Sequence, residues 1–86
     1  MVGRSREVIT LLYWNGFRFF FYSNENDEPI HVHVSKGDFH CKIWLESSVE
    51  LAYARGGYGK DVNRVTEVAE QNAEFLILKW NEFFRK

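Results

Sequence analysis

The first half of the chain alternates between apolar and polar side chains with a period of two, which is typical of β-strands. Residues 8–14 and 17–22 are rich in β-branched and aromatic side chains. The Asn15-Gly16 pair between them is a strong signal for a tight hairpin turn. The pattern therefore predicts an antiparallel hairpin in which Tyr13 lies opposite Arg18.

A second hairpin is predicted from residues 30–34 and 39–45, with a two-residue turn at Lys36-Gly37. The turn must have an even length, because a slip of one residue would move every apolar side chain of one strand to the other face. The apolar face then carries Ile30, Val32, Val34, Phe39, Cys41 and Ile43. The polar face carries His31, His33, Ser35, Asp38, His40 and Lys42, with Trp44 at its end. This register places His33 opposite His40.

The last third of the chain changes to a period of 3.6, which predicts one amphipathic helix over residues 60–84. Residues 49–54 are predicted as a short fifth strand, with a helical turn as the alternative. We therefore expect an α+β fold, an antiparallel β-meander of four to five strands packed against one long C-terminal helix. The 86 residues suit a single domain, with a flexible N-terminus (1–7), a sheet region (8–54) and the helix.

Net charge and apolar patterning point to a protein partner. The formal net charge of −1 argues against general binding to a nucleic-acid backbone, so a nucleic-acid partner is not strongly indicated. Towards its end the predicted helix is apolar on nearly all sides, which exceeds what one packing face needs. We therefore predict a homo-oligomer or a small protein partner, with binding residues at Trp44, Phe75, Ile77 and Phe84.

The single cysteine, Cys41, excludes an intrachain disulfide and fits a reducing, cytoplasmic location. Its place on the apolar face predicts a buried, unreactive thiol. Crossing a membrane takes about 20 consecutive apolar residues, and the sequence holds no such stretch. No membrane association is therefore expected.

The polar face predicts candidate chemistry at His31, His33 and His40. Imidazoles bind divalent transition metals such as zinc, with an oxygen ligand available from Glu25, Asp27, Glu28 or Asp38. Alternatively, the histidines serve as acid and base on RNA, with Lys42 stabilising negative charge and Trp44 or Tyr53 stacking a base. The third interpretation is that they only form structural hydrogen bonds or a protein-binding surface. No cofactor is certain, and the sequence leaves open whether the protein is an enzyme.

Four segments, at residues 16–25, 28–34, 49–53 and 79–84, resemble the small bacterial domain-of-unknown-function family 4160. The most specific part is the Pro-x-His-x-His strand formed by Pro29, His31 and His33. The sequence departs from the family pattern at Ser47-Ser48, where a proline is common, and in its Gly-rich turn before the helix. Members of that family are often encoded beside another small domain, in pairs that look like toxin–antitoxin modules.

The resemblance implies a partner protein. We therefore expect a small cytoplasmic bacterial binding module, one half of a two-protein, toxin–antitoxin-like system that acts through protein–protein contact. The alternative is a small histidine-dependent ribonuclease or a transition-metal-binding protein that uses His31, His33 and His40.

Overall fold

The computed structural model describes residues 6–57 and 59–85. Within them the chain forms one five-stranded antiparallel sheet followed by two helices, which confirms the α+β fold. The elements are β1 (Val8–Trp14), β2 (Phe17–Tyr22), β3 (His31–Lys36), β4 (Phe39–Trp44), β5 (Glu50–Arg55), α1 (Gly59–Gln71) and α2 (Ala73–Phe84). Strand order equals sequence order, so the sheet is a meander. The flexible N-terminus predicted over residues 1–7 lies largely outside the described residues.

The first hairpin has the predicted turn and register. Tyr13 pairs with Arg18, and the turn residues Asn15 and Gly16 have φ values of 51° and 83°. Positive φ at both positions is the requirement of a type I′ turn, which an Asn-Gly pair meets with little strain. The predicted fifth strand is also confirmed, as β5 pairs with β4.

The second hairpin turns one residue later than predicted, at Gly37-Asp38 instead of Lys36-Gly37. Gly37 takes the first turn position with φ 58°, so Lys36 pairs with Phe39 and His33 pairs with Lys42, not with His40. The turn still contains two residues, and the pairing therefore shifts by an even number. Each side chain stays on its predicted face, although its cross-strand neighbour changes.

The prediction of one long C-terminal helix is wrong, because the helix is interrupted at Asn72. The Asn72 backbone has φ −113° and ψ 16°, and its side-chain Nδ2 donates to the carbonyl of Val68 at 2.8 Å. Its backbone N–H is shared between the carbonyls of Val68 and Ala69, at 3.0 and 3.2 Å. A short polar side chain that competes for backbone groups in this way breaks the regular ladder. The chain therefore continues as a second helix, α2.

The main core lies between the apolar sheet face and the helices. Val65, Val68 and Ala69 of α1 pack here, as predicted for the helix. On the sheet side the buried members are Phe17, Phe19, Val32, Val34, Phe39, Cys41, Ile43 and Leu45. Burial raises the pKa of the Cys41 thiol to about 12, in line with the predicted buried thiol.

A second aromatic cluster closes one end of the sheet. Trp80 of α2 lies against both Phe21 and His31, with ring centroids 5.1 and 5.0 Å apart. This contact lies beyond the last residue pair between β2 and β3, Phe20 with His33. The C-terminal half of α2 therefore reaches the histidine strand. Neither helix is long and apolar enough to cross a membrane within the described part of the chain.

Candidate functional site

The polar face predicted on β3 is formed, and its two histidines are buried. His31 is 1% exposed and His33 is 5% exposed. Trp80 packs on His31, and the carboxylate of Glu25, from the loop between β2 and β3, lies against both rings. Strand alternation assigns a face to a side chain but does not say what will cover that face.

Glu25 connects the loop to the strand through both of its carboxylate oxygens. Its Oε1 accepts a hydrogen bond from the backbone N–H of Tyr22 at 2.9 Å and lies 3.0 Å from His31 Nε2. Its Oε2 lies 2.8 Å from His33 Nε2. Burial alone would raise the pKa of Glu25, but its contacts with His31, His33 and Tyr22 outweigh burial and hold the pKa well below the ordinary value. Glu25 is therefore a carboxylate at neutral pH.

A backbone contact places a hydrogen on Nδ1 of His31. Its Nδ1 lies 2.8 Å from the carbonyl oxygen of Pro29. A carbonyl only accepts, so Nδ1 carries a hydrogen. Although Nε2 is close to Glu25, it is buried without a hydrogen-bond partner among the described residues. The 3.0 Å contact is therefore short but poorly aligned for a hydrogen bond.

His33 joins Glu25 to His40. Its Nδ1 lies 3.2 Å from His40 Nε2, a diagonal contact across the hairpin, since the direct partner of His40 is Ser35. The ring of His40 stacks on Tyr53 at 5.9 Å. Burial, helped by the charges of His33 and Arg55, lowers the pKa of His40, which favours its neutral form. The three predicted histidines thus converge, with His33 in the middle.

The other two candidate site residues of the polar face, Lys42 and Trp44, lie beside this cluster and are already in contact with neighbours. Lys42 forms an ion pair with Glu28, and its ammonium lies 4.4 Å from the centre of the Trp44 ring. The Trp44 ring also packs edge-on against His31, at 5.6 Å. Both side chains are therefore held by the protein itself, and neither projects freely towards a substrate.

Glu25 is the acidic residue that reaches the histidines most directly. It was one of four oxygen donors that the sequence offered, and nothing in the alternation distinguished it from Asp27 or Asp38. Trp80 is the contact that the sequence missed, since its helical spacing predicted only a core position. Glu25, His31 and His33 each place one potential metal-ligand atom within 4.8 Å of those of the other two.

The predicted binding residues of α2 divide into two groups. Ile77 packs partly against the core, and Phe84 packs on Phe21 and Trp80. Phe75 points outward, and so does Leu78, which was not predicted: they are 40% and 54% exposed. A groove of about 450 Å³ lies between β1 and α2, lined by Ile9, Thr10, Leu11, Lys79, Glu82 and Phe83. Phe75 is linked to this groove through Lys79, whose ammonium lies 5.7 Å from the centre of the Phe75 ring. We call the apolar residues Ile9, Leu11, Phe75, Leu78 and Phe83 the α2–β1 surface.

A comparison with protein families now places the chain. The family model described as a domain of unknown function, DUF4160, matches residues 16–81. The chain belongs to the DUF4160 family. The match spans β2 through most of α2 and includes the Glu25, His31 and His33 cluster. No curated protein and no solved structure matched the chain.

Proposed function

We propose that this DUF4160 protein is a small binding module that contacts a partner protein through the α2–β1 surface. The observation that carries the proposal is the outward apolar side of α2: Phe75 and Leu78 are exposed on the helix that also forms one wall of the groove against β1. Large apolar side chains grouped on one side of a small domain are typical of protein interaction sites. The free thiol of Cys41 suits a cytoplasmic setting.

The position of β1 supports the same surface. β1 is an edge strand, so its outer backbone groups have no neighbouring strand within the described sheet. An edge strand beside an apolar groove offers a partner both backbone hydrogen bonds and side-chain contacts. Lys79 and Glu82 in the groove wall carry one charge of each sign, so the groove has no net charge. A partner would therefore be recognised by its shape and its apolar side chains more than by its net charge.

For the protein as a whole, partner binding is a better proposal than catalysis by the histidines of β3. His31 and His33 are buried, and both ring nitrogens of His33 have partners in Glu25 and His40. A ribonuclease would need these rings within reach of an RNA phosphate, and that would require the Glu25 loop to leave the strand. The toxin–antitoxin-like pairing implied by the family resemblance agrees with a partner-binding role, and we propose the product of an adjacent gene as the partner.

Co-purification with that gene product, followed by titration of the two purified proteins, tests the proposal. We expect Leu78→Asp to weaken the complex at least about 10-fold, because a charge would be desolvated in the apolar contact. The matched control is Leu51→Asp on β5, at the opposite edge of the sheet, where Leu51 is also exposed. Circular dichroism checks that both variants fold.

Two results would overturn the proposal. One is a wild-type complex that Leu78→Asp and Leu51→Asp weaken equally. The other is the absence of any complex, either with the adjacent gene product or between two copies of the chain in light-scattering measurements at high concentration.

A further inference from the structure

Three side chains, from the Glu25 loop and β3, bring together atoms that can bind a metal ion, and one of these atoms has no hydrogen-bond partner within the described part of the chain. Glu25 contributes both carboxylate oxygens, and His31 and His33 each contribute Nε2. The oxygen-to-nitrogen separations are 3.0 Å to His31 and 2.8 Å to His33. Ligands bound about 2.0–2.2 Å from one tetrahedral ion lie about 3.3–3.6 Å from each other, so the three groups need to separate by less than about 1 Å to share a metal.

His31 is the stronger indication. Its Nδ1–H donates to the Pro29 carbonyl, and its Nε2 is buried 3.0 Å from the Glu25 carboxylate without a hydrogen-bond partner in the part of the chain that the structure describes. The side chain of His31 as a whole is fully buried. A metal ion bound between Nε2 and the carboxylate oxygen would give this buried nitrogen the partner that it lacks among the described residues.

The outer contacts are those expected around metal-bound histidines. Such histidines donate their second N–H to a backbone carbonyl or another acceptor, which fixes the tautomer and the ring orientation. His31 does this with Pro29. His33 can do the same with His40, whose Nε2 lies 3.2 Å from His33 Nδ1 and can accept when His33 Nε2 binds the ion.

We propose that Glu25, His31 and His33 bind one divalent transition-metal ion, of the class represented by Zn²⁺. Two imidazoles and a carboxylate form a borderline-soft ligand set that suits such ions and discriminates against Mg²⁺ and Ca²⁺, which prefer oxygen ligands. His40 supports the site through His33 and is not itself a ligand. Because the cluster is buried, the ion's role is structural: it ties the loop that carries Glu25 to β3.

The test uses the full chain without a histidine tag. The protein is stripped with a chelator, titrated with Zn²⁺ by calorimetry, and examined with Co²⁺, whose visible spectrum reports nitrogen and oxygen ligation. We expect one equivalent of Zn²⁺ to bind and to raise Tm, since an ion that binds only the folded state stabilises it. Mg²⁺ should leave Tm unchanged.

Variants assign the ligands. We expect Glu25→Gln and His31→Ala each to lose at least about 100-fold in Zn²⁺ affinity, and His40→Gln to lose about 10-fold as an outer contact. Glu28→Gln is the matched control for Glu25→Gln: its carboxylate pairs with Lys42 and lies 3.9 Å from Nδ1 of His31, not at the Nε2 that would bind the ion, so the affinity should stay within about threefold. Binding is compared only among variants whose circular dichroism shows a folded domain, and Glu25→Gln keeps the shape of the side chain.

The proposal is overturned if the wild-type protein binds no Zn²⁺ at micromolar concentration. It is also overturned if Glu25→Gln and Glu28→Gln bind the ion with equal affinity, because the site would then lie elsewhere. This outcome is independent of partner binding at the α2–β1 surface.

Discussion

β3 and β4 present two faces that are held in different ways. One face is packed against the helices by apolar side chains such as Val34 and Ile43, with Val65 of α1 opposite them in the same core. The other face is held by a carboxylate, three imidazoles and an ion pair set among aromatic rings, such as that of Phe20, which stacks on His33 at 5.4 Å, and the loop after β2 covers it. Apolar packing depends on volume and tolerates small shifts in position, whereas polar contacts require particular atoms at particular distances. We therefore attribute most of the stability to the first face and the candidate chemistry to the second.

The largest effect should come from the apolar face. We expect Ile43→Ala to lower the free energy of unfolding by about 2–5 kcal/mol, because Ile43 is fully buried and its truncation leaves a cavity. Urea denaturation measures the change. Leu51, the cross-strand partner of Ile43, is the control: it is 42% exposed, and Leu51→Ala should cost about 1 kcal/mol or less. Equal losses would mean that the region around β5 is as well packed as the core.

On the histidine face we expect Glu25→Gln, measured with a chelator present, to cost about 1.5–3 kcal/mol at neutral pH through the lost charged contacts. The pKa of Glu25 is lower in the folded protein than its ordinary value of 4.5. Its contribution to stability is therefore complete above pH 4.5 and is lost as the pH falls below that value. Urea denaturation at a series of pH values should show wild type and Glu25→Gln converging in acid. A constant difference down to pH 3 would show that the charge of Glu25 does not stabilise the fold.

The smallest effect should come from the ion pair at the margin of the histidine face. Lys42→Met keeps the apolar stem and removes the charge that pairs with Glu28, whose side chain is 39% exposed. Ion pairs with access to water contribute about 0–1 kcal/mol, so the variant should unfold within that range of the wild type. If Lys42→Met lowered the free energy of unfolding as much as Glu25→Gln does, Lys42 would stabilise the whole histidine face. The ion pair at its margin would then contribute as much as the central carboxylate.

Part of the candidate site was predictable from local pattern. The alternation through Pro29–Val34 placed His31 and His33 on one face, and the even length of the turn placed His40 on the same face even though the turn itself lies one residue later. The register error had no effect on the faces because side-chain direction depends only on whether the shift is odd or even. The exact partner of His33 was not predictable, since several two-residue turns fit the same sequence.

The break at Asn72 could not be read from periodicity, because the apolar spacing of α1 and α2 is continuous across it. A helix interior tolerates Asn in many sequences, and only the contact of its side chain with the Val68 carbonyl shows that this one interrupts the ladder. The break separates α1, which packs in the main core, from α2, which carries Trp80 to the histidine strand.

The sequence by itself determined the order of the strands, the two faces of the sheet, the buried thiol and the histidine pair, because these follow from side-chain period and turn chemistry between near neighbours. Only the tertiary structure decided that the histidines are buried and that Glu25 is the acid beside them. It also decided which apolar residues of α2 remain outside. Those features depend on contacts between segments that are distant in sequence. The path of the loop and the direction of the helix decide which atoms come into contact, and no local sequence pattern determines either.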